Sequence, residues 1–119
     1  MIKINDPIYG QGFNLIVNCS IEQFNKEVDR KTKQANYLEL DSSVDGVVID
    51  VHAKKGKYSF VYVAEFKWTA ESIGVLSHEI YHHCRSVFNH CKITDMEEAF
   101  AYYQEMIFTQ CLLKIKKSK

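Results

Sequence analysis

His78, Glu79 and His82 are residues whose types and spacing can do chemistry together. Positions four apart on a helix lie one above the other, so His78 and His82 can direct two imidazoles at a single ion. Zn(II) suits that pair, because imidazole nitrogen is one of its usual ligands. Glu79 is offset by one position and is poorly placed to join the same coordination. Its carboxylate can instead take a proton from a water that the ion has acidified, and such a water attacks a carbonyl. The expected chemistry is hydrolysis, with Zn(II) as cofactor, His78 and His82 as metal ligands and Glu79 as catalytic base.

A catalytic zinc site also needs a third protein ligand and an open fourth position. One solution places another His six residues after the second, behind a Gly that turns the chain. Here that position is Phe88, no Gly lies between, and His90 falls two residues too late. His83 is adjacent to His82 and points elsewhere. The remaining source is the following helix, which opens with Glu97 and Glu98. Thr94-Asp95-Met96-Glu97 has the form of a capping box, which would tie the Glu97 carboxylate to the Thr94 backbone N–H and leave Glu98 for the metal. Helical phase is less decisive, because Glu97 lies nearer the apolar stripe. Glu98 is therefore the preferred third ligand and Glu97 the alternative. Tyr81, His83, His90, Tyr102 and Tyr103 are candidates for stabilising an oxyanion.

The elements that must position these groups can be read from periodicity. Thr69 is a plausible N-cap for a helix running to about Asn89, with Ile73, Leu76, Ile80, Cys84 and Val87 on its apolar side. Met96, Ala99, Phe100, Tyr103, Ile107 and Cys111 predict a second helix reaching about Lys116. Upstream, Phe13, Leu15 and Val17 alternate along a strand over 12–18. Ser20-Ile21-Glu22-Gln23 is a capping box for a helix over about 21–31, with Ile21, Phe24 and Val28 as its stripe. Asp45-Gly46 introduces Val47 to His52. The turn Lys54-Lys55-Gly56-Lys57 then joins this run to Tyr58–Trp68, making a hairpin. In its second strand Tyr58, Phe60, Tyr62, Ala64 and Phe66 share the face expected to cover a helical layer, and the strand could offer an edge to an extended peptide. The fold class is thus α+β: a small antiparallel sheet of about three strands, packed on the helix carrying the His pair and on a C-terminal helix.

Composition sets the frame. The chain has 119 residues, 46% of them hydrophobic and 25% charged, with one Pro and five Gly, which predicts a single folded domain over 1–119. Fifteen basic residues balance fifteen acidic ones, so no overall field favours nucleic acid or an anionic membrane. The N-terminus lacks a charged start followed by an apolar run, and no stretch approaches the roughly 20 apolar residues of a membrane span. A cytoplasmic location is expected. Cys19, Cys84, Cys91 and Cys111 form no CxxC pair and read as reduced thiols.

The HExxH motif, a gap of about fifteen residues, and then Glu97-Glu98-Ala99-Phe100-Ala101-Tyr102 resemble the small zinc metallopeptidases encoded by tailed bacteriophages and prophages. More distantly the pattern is similar to gluzincins, whose third ligand is a Glu followed three residues later by a small residue, here Glu98 and Ala101. The resemblance implies a minimal zincin-like fold, a peptide or protein substrate, and residence in a host cytoplasm or association with a virion. It also admits a non-catalytic phage structural or assembly protein that keeps the zinc-binding fold and contacts phage structural proteins.

Overall fold

The computed structural model describes residues 1–33, 44–53, 56–94 and 96–118. In chain order these form β1 (Ile2–Ile4), β2 (Phe13–Val17), α1 (Ile21–Thr32), β3 (Gly46–Ala53), β4 (Gly56–Val63), α2 (Ala70–His90) and α3 (Glu97–Lys117). The fold is α+β. Its sheet has four strands in the order β1-β2-β4-β3 and is mixed, where the sequence predicts about three antiparallel strands. Two features account for the difference. Ile2-Lys3-Ile4 pairs antiparallel with β2, Ile2 opposite Leu15, yet three residues are too few to show a period. The chain through α1 then lets β4 lie parallel to β2, with Leu15 beside Val61.

β4 is therefore an interior strand, flanked by β2 on one side and by the antiparallel β3 on the other. This corrects two expectations. β4 has no free edge for a peptide, and β3 holds one outer edge of the sheet instead. Both faces of β4 are buried, not one. Phe60 and Tyr62 join Ile21, Phe24 and Val28 of α1, the Phe24 ring stacking on Tyr62 at 4.5 Å between centroids. Val61 and Val63 join Leu76, Ile80 and Cys84 of α2 and Tyr103, Ile107 and Cys111 of α3. A strand with helices on both faces reads as a continuous apolar run, which explains why Phe60 to Val63 are all fully buried. β4 ends at Val63, short of Trp68. There the chain turns away, with the Ala64 N–H donating to Asp45 O and the Phe66 N–H to the Asn18 side chain. Of the predicted hairpin turn, Gly56 already belongs to β4 and Lys54 and Lys55 lie outside the described residues.

Helix starts follow the sequence at two of three places. Ser20 Oγ accepts from the Gln23 N–H and Thr69 Oγ1 from the Ser72 N–H, each satisfying an amide that a helix start leaves open. The third does not form. α3 begins at Glu97 with Met96 as its N-cap and no side-chain capping bond, so Thr94 closes no box on Glu97.

The β1–β2 connection is held by one carboxylate. Asp6 accepts from the backbone N–H groups of Ile8, Tyr9 and Gln11 and from the Tyr103 hydroxyl at 2.6 Å. Tyr9 packs edge-on against Phe88 and Tyr103, and the His83 ring nitrogen meets Gln11 O at 3.1 Å. The loop is thereby fastened to the α2–α3 pair behind the His motif. No helix of the described residues is long and apolar enough to cross a membrane.

Candidate metal and catalytic site

α2 lies against the sheet with Leu76, Ile80, Cys84 and Val87 buried, and this fixes the rotation of the helix. His78, His82 and Ser86 share one side of it, spaced by four. They face the residues of β3 that point toward α2, and a cleft is lined by Gly46, Val48, Asp50, His78, His82 and Ser86. Glu79 lines it as well, and lines its continuation toward Asp45, Glu71 and Gly74.

Within this cleft the Nε2 atoms of His78 and His82 stand 3.1 Å apart, their rings nearly perpendicular. Two nitrogens each about 2.05 Å from one ion at a tetrahedral angle are separated by about 3.3 Å. The pair thus has close to the bite that one zinc ion requires. The same spacing lets one imidazole donate to the other when no ion is held.

Glu79 is only 8% exposed, and among the described residues it has no hydrogen-bond partner. Burial pushes its carboxyl above the usual range, and the neighbouring His78 and His82 oppose the shift without cancelling it. Its position is set by the start of β3. A Cβ on Gly46 would come within 3.0 Å of Glu79 Oε2 and 3.2 Å of Tyr62 O, so the backbone of β3 packs directly on this side chain.

The other predicted residues fall in several places. Among the described residues no three His, Cys, Asp or Glu side chains converge on a point that suits a metal, so His78 and His82 are brought together without Glu98. Glu97 and Glu98 are both exposed at the first turn of α3. The reason for setting Glu97 aside is removed by the cap at Met96. Glu97 also lines a cleft with Tyr81, Arg85 and Phe100, and Tyr81 packs edge-on against both His82 and Phe100. Tyr103 is buried on Asp6, Tyr102 points outward from α3, and His83 is buried against Phe13, where desolvation holds its pKa below the ordinary value. His90 is exposed at the last residue of α2, two turns beyond His82, and Tyr81, 45% exposed, is the phenol that packs against His82. Cys84 and Cys111 are buried thiols, and burial pushes both up to about 12.

No family model, curated protein or solved structure matches this chain. The cleft includes residues that the sequence did not single out. Asp50 accepts from Ser59 Oγ at 2.6 Å and Ser86 Oγ at 3.4 Å, which fixes a carboxylate in the cleft wall one helical turn below His82. Alternation along Val47–Val51 and the step of four from His82 to Ser86 are the signals that place them, once β3 is known to face α2.

Proposed function

We propose that this chain is a zinc-dependent metallopeptidase of the minimal, gluzincin-like kind that bacteriophages and prophages encode. The observation that carries the reading is the 3.1 Å convergence of two imidazole nitrogens next to a buried carboxylate without a hydrogen-bond partner among the described residues, in a cleft walled by an edge strand. His78 and His82 would hold the ion, and a glutamate at the start of α3, which does not converge on the pair among the described residues, would complete the protein ligands. The motif resemblance favours Glu98 for that role, and the cleft beside Tyr81 favours Glu97. Zinc supplies Lewis acidity, lowering the pKa of a water toward neutrality and polarising a carbonyl. Glu79 would accept a proton from the attacking water and donate it to the leaving amine as the C–N bond breaks. An extended peptide would add to β3, which is an edge strand of the sheet among the described residues and lines the cleft.

Metal removal tests this reading with two readouts. Dialysis against a chelator is expected to abolish cleavage of a peptide library, and one equivalent of Zn(II) to restore it. Zinc should also raise thermal stability, by about 2.7 kcal/mol at a hundredfold excess over its dissociation constant. Cleavage that survives chelation would contradict the reading, and so would a melting temperature indifferent to zinc.

Gly46 provides a second check. Gly46→Val places methyl groups where Glu79 now lies, so it is expected to lower kcat/KM by about a hundredfold through displacement of the base. Zinc content, measured by elemental analysis, should stay at the parent level. Loss of zinc in this variant would show that β3 supports the ligands and not the base.

A further inference from the structure

We propose that the end of the cleft between Asp45 and Glu71 is a subsite for a lysine or arginine side chain of the substrate, which makes the preferred substrate a cationic peptide. That the ligand is a peptide rests on the peptidase reading; its charge rests on the cleft.

Glu71, Gly74, Val75, His78 and His82 follow one another along one side of α2 at steps of three and four. The first four of them, with Val44, Asp45 and Gly46 opposite, line a groove of about 600 Å³ that Glu79 lines as well. Asp45 thus stands on one wall and Glu71 on the other. Both residues are exposed, neither carboxylate has a hydrogen bond or ion pair among the described residues, and no Lys or Arg of those residues lines the groove. The Asp45 backbone is held in place, because its carbonyl accepts from the Ala64 N–H at 2.9 Å. At the other end of the cleft the acid is already partnered: Asp50 accepts from two serines and meets Lys57 Nζ at 3.9 Å. The chain as a whole has no net charge, so the unbalanced acid between Asp45 and Glu71 is a local feature.

The shape of the groove suits a long side chain. A Cβ on Gly74 would meet nothing within 4 Å, and Gly weakens a helix interior relative to Ala, so packing within the chain gives no reason for it. What it does is leave the floor of the groove open. Val44 and Val75, both half-buried, flank that floor and can hold a methylene stem whose charged head reaches the carboxylates. Glu79 is an independent sign that a ligand belongs here: it is 8% exposed, has no partner among the described residues, and is aimed into the same groove. Along α2, Glu71 lies about 10 Å from His78, a length that an extended peptide covers in about three residues. The cationic residue therefore falls within about three positions of the bond that is cut.

Binding to the zinc-loaded full chain carrying Glu79→Gln tests this without requiring cleavage. The probes are fluorescein-labelled peptides of alanine and glycine with a single central Lys, Arg or Glu, or with none, followed by fluorescence anisotropy. The Lys and Arg peptides are expected to bind about fivefold to tenfold more tightly than the neutral one, and the Glu peptide more weakly than either. Asp45→Asn with Glu71→Gln should erase that preference and leave binding of the neutral peptide unchanged. Asp45→Lys with Glu71→Lys should reverse it in favour of the Glu peptide. Circular dichroism melts establish that both pairs of changes fold. Equal affinity for cationic and neutral peptides overturns the subsite, as does a preference that survives the neutral pair of changes. The Lys peptide bound with the expected preference but left uncut by the parent chain would contradict the peptidase reading and support the subsite. Cleavage by the parent of neutral and Lys peptides at equal kcat/KM would do the reverse.

Discussion

Glu79→Gln is expected to bind zinc as the parent does and to lose about 10²- to 10⁴-fold in kcat/KM on any peptide that the parent cleaves. The amide is nearly isosteric with the carboxylate, so the contact with Gly46 and the buried setting are preserved. What is removed is the ability to accept a proton. Glu79 carries no hydrogen bond from the described residues, so the substitution breaks no structural bond and the loss is a measure of chemistry. Steady-state kinetics with parallel zinc analysis decides the matter. Equal cleavage by parent and variant would remove the mechanism while leaving the metal site standing.

Asp6→Ala is expected to destabilise the fold by about 3–5 kcal/mol at pH 7. Three backbone N–H groups and the Tyr103 hydroxyl would lose their common acceptor, and the Tyr103 hydroxyl is buried. Burial alone would raise the Asp6 carboxyl, but the bonds from Tyr103, Tyr9, Gln11 and Ile8 together hold it below its ordinary 3.8. A carboxyl depressed in the folded state stabilises above its unfolded pKa and loses that contribution as pH falls through the folded one. Urea melts of parent and variant should therefore differ most near neutrality and approach each other as the pH falls below the ordinary 3.8 and through the depressed value of the folded state. Tyr103→Phe, which removes one donor of the four, should cost about 1–3 kcal/mol. A variant as stable as the parent at pH 7 would mean that the loop is not fastened through Asp6.

Much of this architecture was legible where local rules are strong. Ser20 and Thr69 cap α1 and α2 as their sequences require, and the spacing of Leu76, Ile80 and Cys84 fixes the side of α2 that faces the core. His78 and His82 converge for the same reason, since two residues four apart on a fixed helix have little freedom. Features that depend on distant pairing were not legible. β1 is three residues long and exists because β2 offers it an edge. The interior place of β4 follows from a parallel pairing across α1, which no alternation within β4 can signal. The cleft wall has the same origin: Gly46 and Asp50 matter because β3 lies under α2, and their sequence neighbours are those of an ordinary strand. The Thr94 capping box failed on a local rule, because the helix begins at Glu97 with Met96 before it. With that box gone, Glu97 and Glu98 become open alternatives, to be separated by alanine substitution at each.

The account rests on a single ion held by two imidazoles, and zinc stoichiometry measures it directly. Elemental analysis of the purified chain, alongside His78→Ala and His82→Ala, is expected to find close to one zinc per parent chain and almost none in either variant. A parent chain without zinc after loading and desalting, or variants that retain it in full, would contradict the account.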